Sequence, residues 1–367
     1  MKKIHLFRHS IAALLLTCAG AASGQSTNNA LDITSSAVPF LRIAPDARST
    51  GMGNMGLATS PDANSGLWNL AKTPFADSTG SLAVNYSPWL RDITESVYLL
   101  HAGGYYKLDD KQAISANIRY FSLGNLPLTD HNGQLLKTSY PREMSFDVGY
   151  ARKLTDRFGI GVAFRYINSS LVRGNLNAVR YKAATAVAGD VSLFYSGLND
   201  AGQGFTAGLA LSNLGSRIAY RGDSDQKEFL PANLGLGAAY TFAMQEDHKL
   251  MLGAEVNKLM VPKMTDVKEY YETGAMEAWF KSFGNNTWRF SGGAEYSFRN
   301  AFSARLGYVS GKKREGSVQE ITAGIGGRYR MVGMNLSYLV PTGNGANRNP
   351  LSNTLRIGLT VDLAAAH

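Results

Sequence analysis

The stretch "GMGNMG" at 51–56 has the spacing G-x-G-x-x-G, with an acid, Asp77, about twenty residues further on. In a dinucleotide site those glycines let the backbone approach a pyrophosphate, a helix N-terminus supplies amides, and the acid holds a ribose. That chemistry needs a buried strand entering the turn and a helix leaving it. Here Pro39 and Pro45 interrupt the upstream flank, and "LATSPDANSG", with Pro61, follows where the helix should run. Both flanks fail, so the glycines are read as close packing and no nucleotide cofactor is expected. His101, His131 and His248 are scattered without H-x-x-H or H-E-x-x-H spacing, which gives no metal site. No serine sits in G-x-S-x-G, and His131 beside Asp130 is the only hint of hydrolysis. No catalytic residue is assigned, and the chain is read as a non-enzyme.

The compartment follows from the first residues. Lys2, Lys3 and Arg8 precede the apolar run "IAALLLTCAGAA" and the small residues "AASGQ", a secretory signal expected to span 1–24. The single cysteine, Cys18, lies inside it, so the mature chain has no thiol or disulfide chemistry. Without Lys2, Lys3 and Arg8 the formal +9 falls to about +6, a mild excess that suits anionic lipid or acidic partners; nothing points to nucleic acid. No later stretch holds the roughly eighteen continuous apolar residues of a membrane helix.

From residue 81 onward the dominant period is two. In "FGIGVAFRY", Phe158, Ile160, Val162, Phe164 and Tyr166 form one face, and Gly159, Gly161, Ala163 and Arg165 the other. This is an apolar-out, small-or-polar-in strand. The pattern recurs in "NLGLGAAYTF" and "EITAGIGGRYRM". Strands are read at 81–89, 96–108, 111–126, 144–154, 158–171, 184–197, 204–215, 230–244, 248–260, 287–299, 301–311, 319–331, 332–343 and 354–363. The fold class is therefore all-β, a transmembrane antiparallel barrel of about 14 strands with an N-terminal hatch in its lumen. Long and short connections alternate along it, as outer loops and periplasmic turns do; a soluble sandwich has no such rhythm. Within the loop at 261–286, Met276, Trp279, Phe280 and Phe283 recur at i, i+3, i+4 and i+7, a short amphipathic helix.

The inward faces carry Arg119, Asp147, Arg165, Asp190, Glu255, Arg289, Glu295, Arg305, Arg328, Arg330, Arg356 and Asp362. An open pore would use these charges for ion selectivity; alternatively they pair with one another and with a plug. The segment 30–80 is rich in Gly, Ala, Ser and Asn, has no hydrophobic period, and precedes the first strand. It is read as the plug, with Gly51, Gly53 and Gly56 for close backbone approach, Asp62, Asn64 and Asn69 as turn and capping groups, and Trp68 as a buried anchor. The expected organisation is 1–24 signal, 25–80 periplasmic segment and lumen hatch, and 81–367 barrel.

The stretch "FLRIAPDARSTGMGNMGLATSPDANSGLWNLAKTPF" closely resembles the N-terminal segment of the PorV (LptO) family, outer-membrane proteins of the Bacteroidetes type IX secretion system within the wider FadL-like barrel group. The motif covers residues 40–75, and the strand pattern extends a looser similarity over the remainder. One departure is Leu70, where the family's W-N-P-A-K has proline. The resemblance implies a shuttle in the outer membrane of a Gram-negative, Bacteroidetes-like bacterium. Such a shuttle takes cargo bearing a C-terminal β-domain from the translocon barrel (SprA/Sov-like) and passes it to the attachment complex with the sortase PorU, which joins it to lipopolysaccharide. The surface expected to serve this is the loop set carrying Tyr140, Arg142, Arg173, Arg180, Tyr181, Arg217, Tyr220, Trp279, Phe280, Lys312, Lys313 and Arg314. The alternative is a FadL-like channel for hydrophobic small molecules, which requires an apolar lumen. The inward faces here are mostly small or charged.

Overall fold

A computed structural model describes residues 36–88, 96–129, 132–172, 174–176, 179–221, 226–245, 247–263, 266–311, 319–340 and 354–363. The expected signal, His131, Arg173, Lys312, Lys313 and Arg314 lie outside the described residues.

The strands are β1 (Gly80–Pro88), β2 (Val97–Lys107), β3 (Gln112–Leu123), β4 (Leu126–Thr129), β5 (Leu135–Ser139), β6 (Arg142–Lys153), β7 (Phe158–Ser170), β8 (Gly174–Leu176) and β9 (Val179–Tyr181). They continue with β10 (Ala184–Leu198), β11 (Gly204–Gly215), β12 (Asn233–Gln245), β13 (His248–Leu259), β14 (Trp288–Phe298), β15 (Phe302–Gly311), β16 (Glu320–Tyr329), β17 (Val332–Val340) and β18 (Leu355–Asp362). Fourteen of them close an antiparallel barrel in sequence order, and the seam pairs β1 with β18 from Ser81↔Asp362 to Tyr86↔Ile357. The fourteen-strand reading agrees with this barrel. The other four strands were not expected: β4–β5 and β8–β9 are two-stranded hairpins standing in long connections read as loops.

Closure satisfies every ladder without an open edge, which a sheet in hydrocarbon requires. No described helix is long and apolar enough to cross a membrane; the strands do the crossing. On β7, Phe158, Val162, Phe164 and Tyr166 are exposed on the outer face, while Gly159, Gly161, Arg165 and Ile167 are buried on the inner one. Aromatic rings gather at both rims. Tyr86, Tyr98 and Tyr120 lie 5.9 and 6.2 Å apart in succession at the loop end, and Phe158, Tyr195 and Phe205 lie 5.0 and 6.4 Å apart at the turn end. Two such girdles mark the two interfaces of a bilayer.

Residues 36–79 fill the barrel. They form a 3₁₀ turn (Pro39–Arg42), α1 (Ala47–Gly51), α2 (Ser65–Trp68) and a second 3₁₀ turn (Leu70–Phe75). Asp46 starts α1: its carboxylate accepts from the Ser49 amide at 2.8 Å. Gly53 at φ 73° and Asn54 at φ 58° then turn the chain away through left-handed backbone. The leading residues sit at the loop end. There Phe40, Val38 and Leu41 pack with Leu99, Phe121, Ile167 and Ile218, and the Ala37 amide bonds the Phe229 carbonyl at 2.9 Å. Burying a side chain such as Phe40 contributes roughly 2–3 kcal/mol.

Two helices stand in the loop between β13 and β14: α3 (Val267–Glu272), which the sequence reading lacks, and α4 (Ala275–Lys281), where the amphipathic helix was expected. The stripe faces the other way, however. Ala278 is buried, whereas Met276, Phe280 and Phe283 are 67%, 75% and 51% exposed.

Candidate functional site: the hatch and the loop face

The glycines of "GMGNMG" serve contact. A Cβ at Gly56 would stand 2.2 Å from the Trp68 ring, one at Gly53 2.9 Å from the Tyr308 carbonyl oxygen, and one at Gly51 3.1 Å from Gly324 Cα. Gly51 and Gly53 lie where the hatch touches strands β14 to β16, and Gly56 lies against Trp68 of the hatch itself, close approaches that favour glycine.

Polar side chains fasten the hatch to the wall. From α1, the Arg48 guanidinium donates Nε to Glu295 Oε2 at 3.0 Å and NH2 to Oε1 at 2.8 Å, while NH1 reaches Asp62 at 3.1 Å. Burial opposes the Arg48 charge, but Glu295 and Asp62 outweigh it and hold its pKa above the ordinary value. Arg305 Nε meets the same Glu295 carboxylate at 2.6 Å. On β13, Glu255 Oε2 accepts the amides of Gly56 and Leu57, each at 3.0 Å. The Gly53 amide donates to Thr322 Oγ1 at 2.9 Å, and Thr206 Oγ1 donates to the Ala58 carbonyl at 2.7 Å.

Trp68 is half-buried, and its indole donates to Asp46 Oδ1 at 2.7 Å. Burial, then Asp62, push the Asp46 carboxyl upward. Asn64 Oδ1 accepts from Asn85 at 2.8 Å. Asn69 caps the 3₁₀ turn through Ala71 at 3.1 Å and donates to the Leu57 and Leu193 carbonyls, each at 2.9 Å. Leu70, in the family's proline position, opens that turn buried and close to where a Gly149 Cβ would stand. Lys72 is buried with its ammonium on the Gly56 and Thr59 carbonyls at 2.7 and 3.3 Å and on Thr59 Oγ1 at 3.0 Å. Burial lowers its pKa to about 8.

Most of the inward charges sort into three groups. Arg165 bridges Asp147 at 2.6 Å and Asp190 at 2.9 Å, and Arg119 reaches Asp147 at 3.5 Å. Here β10 bulges between Gly189 and Val191, and the Asn213 amide donates to Asp190 at 2.7 Å. Glu255, Glu295 and Arg305 meet the hatch or its partners, as above. Arg328 pairs with Asp362 at the turn end, half-exposed. Arg356 is buried on β18, and Arg289 stands near the loop end of β14. Arg330 is a correction: it follows the last residue of β16, at φ 54°, in the turn and exposed, so it is not an inward-facing residue.

The hatch lies between two spaces. On the turn side is a polar vestibule of about 590 Å³ reaching Lys249, Asn300 and Arg328; on the loop side a cavity of about 90 Å³ lies against Leu41, Trp68 and Arg289.

At the loop face the expected docking residues divide. Arg217 is a clamp: it stacks on Phe229 at 4.4 Å and donates to the carbonyls of Tyr271 at 2.8 Å and Thr273 at 3.1 Å. Tyr270 and Tyr271 both donate to Glu228, at 3.2 and 3.0 Å. These bonds tie Arg217 and Glu228 to α3 and to Thr273 just after it. Tyr220 donates to Ser169 at 3.1 Å and packs on the Phe40 cluster, so it is turned inward. Arg142 opens β6 on the same outward parity as Phe146 and Val148, a rim position. Arg180 lies in β9, and Tyr181, half-buried, bridges Arg221. Trp279 is half-buried; Tyr140 and Phe280 are exposed.

Sequence reasoning passed over Asp46, Arg48, Lys72 and Asn85, and weighed only the metal-ligand role of His101. The last is fully buried and links Asn85 to Asn117 at 3.0 and 3.2 Å. Arg48 and Lys72 carried one signal, a lone cation in a segment of small residues.

A closed, plugged, fourteen-strand barrel with aromatic rims defines an outer-membrane protein of FadL-like architecture. Solved structures agree on the fold. They include the toluene transporter TbuX of Ralstonia pickettii (TM-score 0.53, 11% identity, 87% of this chain and 98% of that one). The monoaromatic hydrocarbon channel CymD (0.53, 10%, 88% and 98%) and the P. putida toluene transporter TodX (0.50, 12%, 87% and 99%) also match. The chain belongs to the PorV family, described as type IX secretion system protein PorV, whose profile matches residues 25–266. No curated protein matches the chain.

Proposed function

We propose that this barrel is a non-enzymatic carrier of type IX secretion: its loop face binds the C-terminal β-domain of cargo leaving the SprA/Sov-like translocon and delivers it to the PorU attachment complex. The observation that carries the reading is the state of the two faces. The hatch is hydrogen-bonded to inward residues on β1, β10, β11, β13, β14 and β16, which favours a lumen that stays closed. The loop face, by contrast, presents Met276 and Phe280 of α4, and Phe283 of the 3₁₀ turn that follows it, to solvent. Exposed aromatic and methionine side chains on a rigid support suit protein docking.

The test is capture of a purified cargo β-domain by the detergent-solubilised barrel, followed by release on addition of the attachment complex. A barrel that captures none, while conducting or passing hydrophobic solutes in bilayers, would sink the proposal. The channel reading draws on the FadL-like architecture; it predicts solute flux that persists when the loop face is altered.

A further inference from the structure

The loop-side cavity has two unlike walls. The hatch contributes mostly apolar residues, Leu41, Ile43, Leu57 and Trp68, with Arg42 beside them, and the barrel contributes polar residues, among them Arg119 on β3 and Arg289 on β14. The polar neighbours Asn213 and Asn257 are already engaged, Asn213 with Arg165 and the Pro231 carbonyl, Asn257 with Glu255 and Asn233. The arginines are different. Among the described residues, Nε of Arg119 and Nε of Arg289 are both buried with no hydrogen-bond partner. The remaining contacts of Arg119 are long, 3.4 Å to the Leu41 carbonyl and 3.5 Å to Asp147, and Asp147 is held mainly by Arg165 at 2.6 Å.

Buried guanidinium donors left unmatched are costly, so a cavity beside two of them calls for an acceptor. At about 90 Å³ the space takes roughly three waters or one compact group. Water meets the donors but gains nothing from the apolar hatch wall. A carboxylate on a short apolar body meets both: its two oxygens match the planar fork of arginine, and its hydrocarbon covers Ile43 and Trp68.

The geometry points to this cleft as a binding site for a carboxylate carried on a small apolar group. Arg119 and Arg289 take the charge, and the hatch holds the body. The inference stands apart from the cargo-carrier reading, because it concerns the wall between hatch and barrel rather than the loop helices. The same head group comes from two sources, a free short-chain acid or the terminal carboxylate of a polypeptide.

The experiment is isothermal titration of the full-length protein in a non-ionic maltoside with four probes: butyrate, butanol, acetyl-glycyl-valine and its C-terminal amide. At least one acid should bind while its neutral counterpart does not. Arg289→Gln should weaken that binding at least tenfold. Arg119→Gln should do the same, with the heat-modified gel shift confirming a closed barrel in each variant. Binding of butyrate alone assigns a small acid, and binding of the peptide acid alone assigns a chain terminus; both sustain the site. Binding by neither acid, equal binding of acid and neutral probe, or unchanged affinity in Arg289→Gln overturns it.

Discussion

Arg48 and Glu295 form a two-point ion pair across the boundary between hatch and wall, with nitrogen–oxygen distances of 3.0 and 2.8 Å. The same carboxylate also takes Arg305. Replacing Glu295 by alanine leaves two buried guanidinium groups facing each other, with only Asp62 to share the charge. Breaking a buried network of this kind typically costs about 3–5 kcal/mol. The closed sheet should survive, since its ladders are untouched, and the loss should fall on the hatch. Hydrogen exchange across 47–62 should accelerate in Glu295→Ala and much less in Glu295→Gln, which keeps an acceptor. Equal protection in all three proteins would mean that this pair does not fasten the hatch.

Gly56 makes a sharper steric claim. A methyl group there would lie 2.2 Å from the Trp68 ring, whereas nothing stands within 4 Å of a Cβ at Gly327. Gly56→Ala should therefore destabilise the hatch by about 2 kcal/mol or more, the range of overpacked cores. Gly327→Ala should be neutral or slightly stabilising. Limited proteolysis of the hatch in both variants checks the contrast.

The barrel was legible because lipid and a filled lumen demand opposite residue types on alternate positions, as Phe164 and Arg165 show on β7. The partners of the inward charges were not. Arg48 and Glu295 stand 247 residues apart, and no periodicity encodes which strand meets which turn of the hatch. Arg330 was misplaced by carrying the alternation past Tyr329 into a turn with left-handed backbone. The stripe on α4 was real, but period 3.6 says which residues share a face and not which face turns inward. Small Ala278 is buried there instead of the aromatic residues. The hairpins β4–β5 and β8–β9 escaped because strands this short carry too little alternation to stand out from loop composition.

Lys72 gives the hatch a pH dependence with a definite sign. Burial lowers its pKa from 10.5 to about 8. A freed Lys72 keeps its proton up to 10.5, so between pH 8 and 10.5 the released hatch binds more protons than the seated one. Seating must therefore strengthen as pH rises through that window; below pH 8 both states are protonated and the full penalty, about 3 kcal/mol, remains. Urea-induced release followed by tryptophan fluorescence at pH 7 and 10 should show the gain in the parent protein. Lys72→Met should lose the increment, and a persisting increment in that variant would assign it to another group.

The loop face permits a test in which stability and function separate. Met276 and Phe280 are exposed on α4, so Met276→Asp with Phe280→Asp should change barrel stability by no more than about 0.5 kcal/mol. If the face binds the cargo β-domain, the same pair removes two apolar anchors and sets charge in their place. Losing anchors of that type costs about 2 kcal/mol or more, near thirtyfold in affinity. Arg217→Ala is the companion change. It removes the clamp on Phe229 and on the Tyr271 and Thr273 carbonyls, loosening the support of α4 while leaving the apolar side chains in place. Binding should then weaken less than in the double variant, and exchange across Val267–Glu272 should rise. Titration of a fluorescently labelled cargo β-domain against the three proteins reads the order. Full affinity in the double variant would move the docking site away from α4 to another part of the loop face.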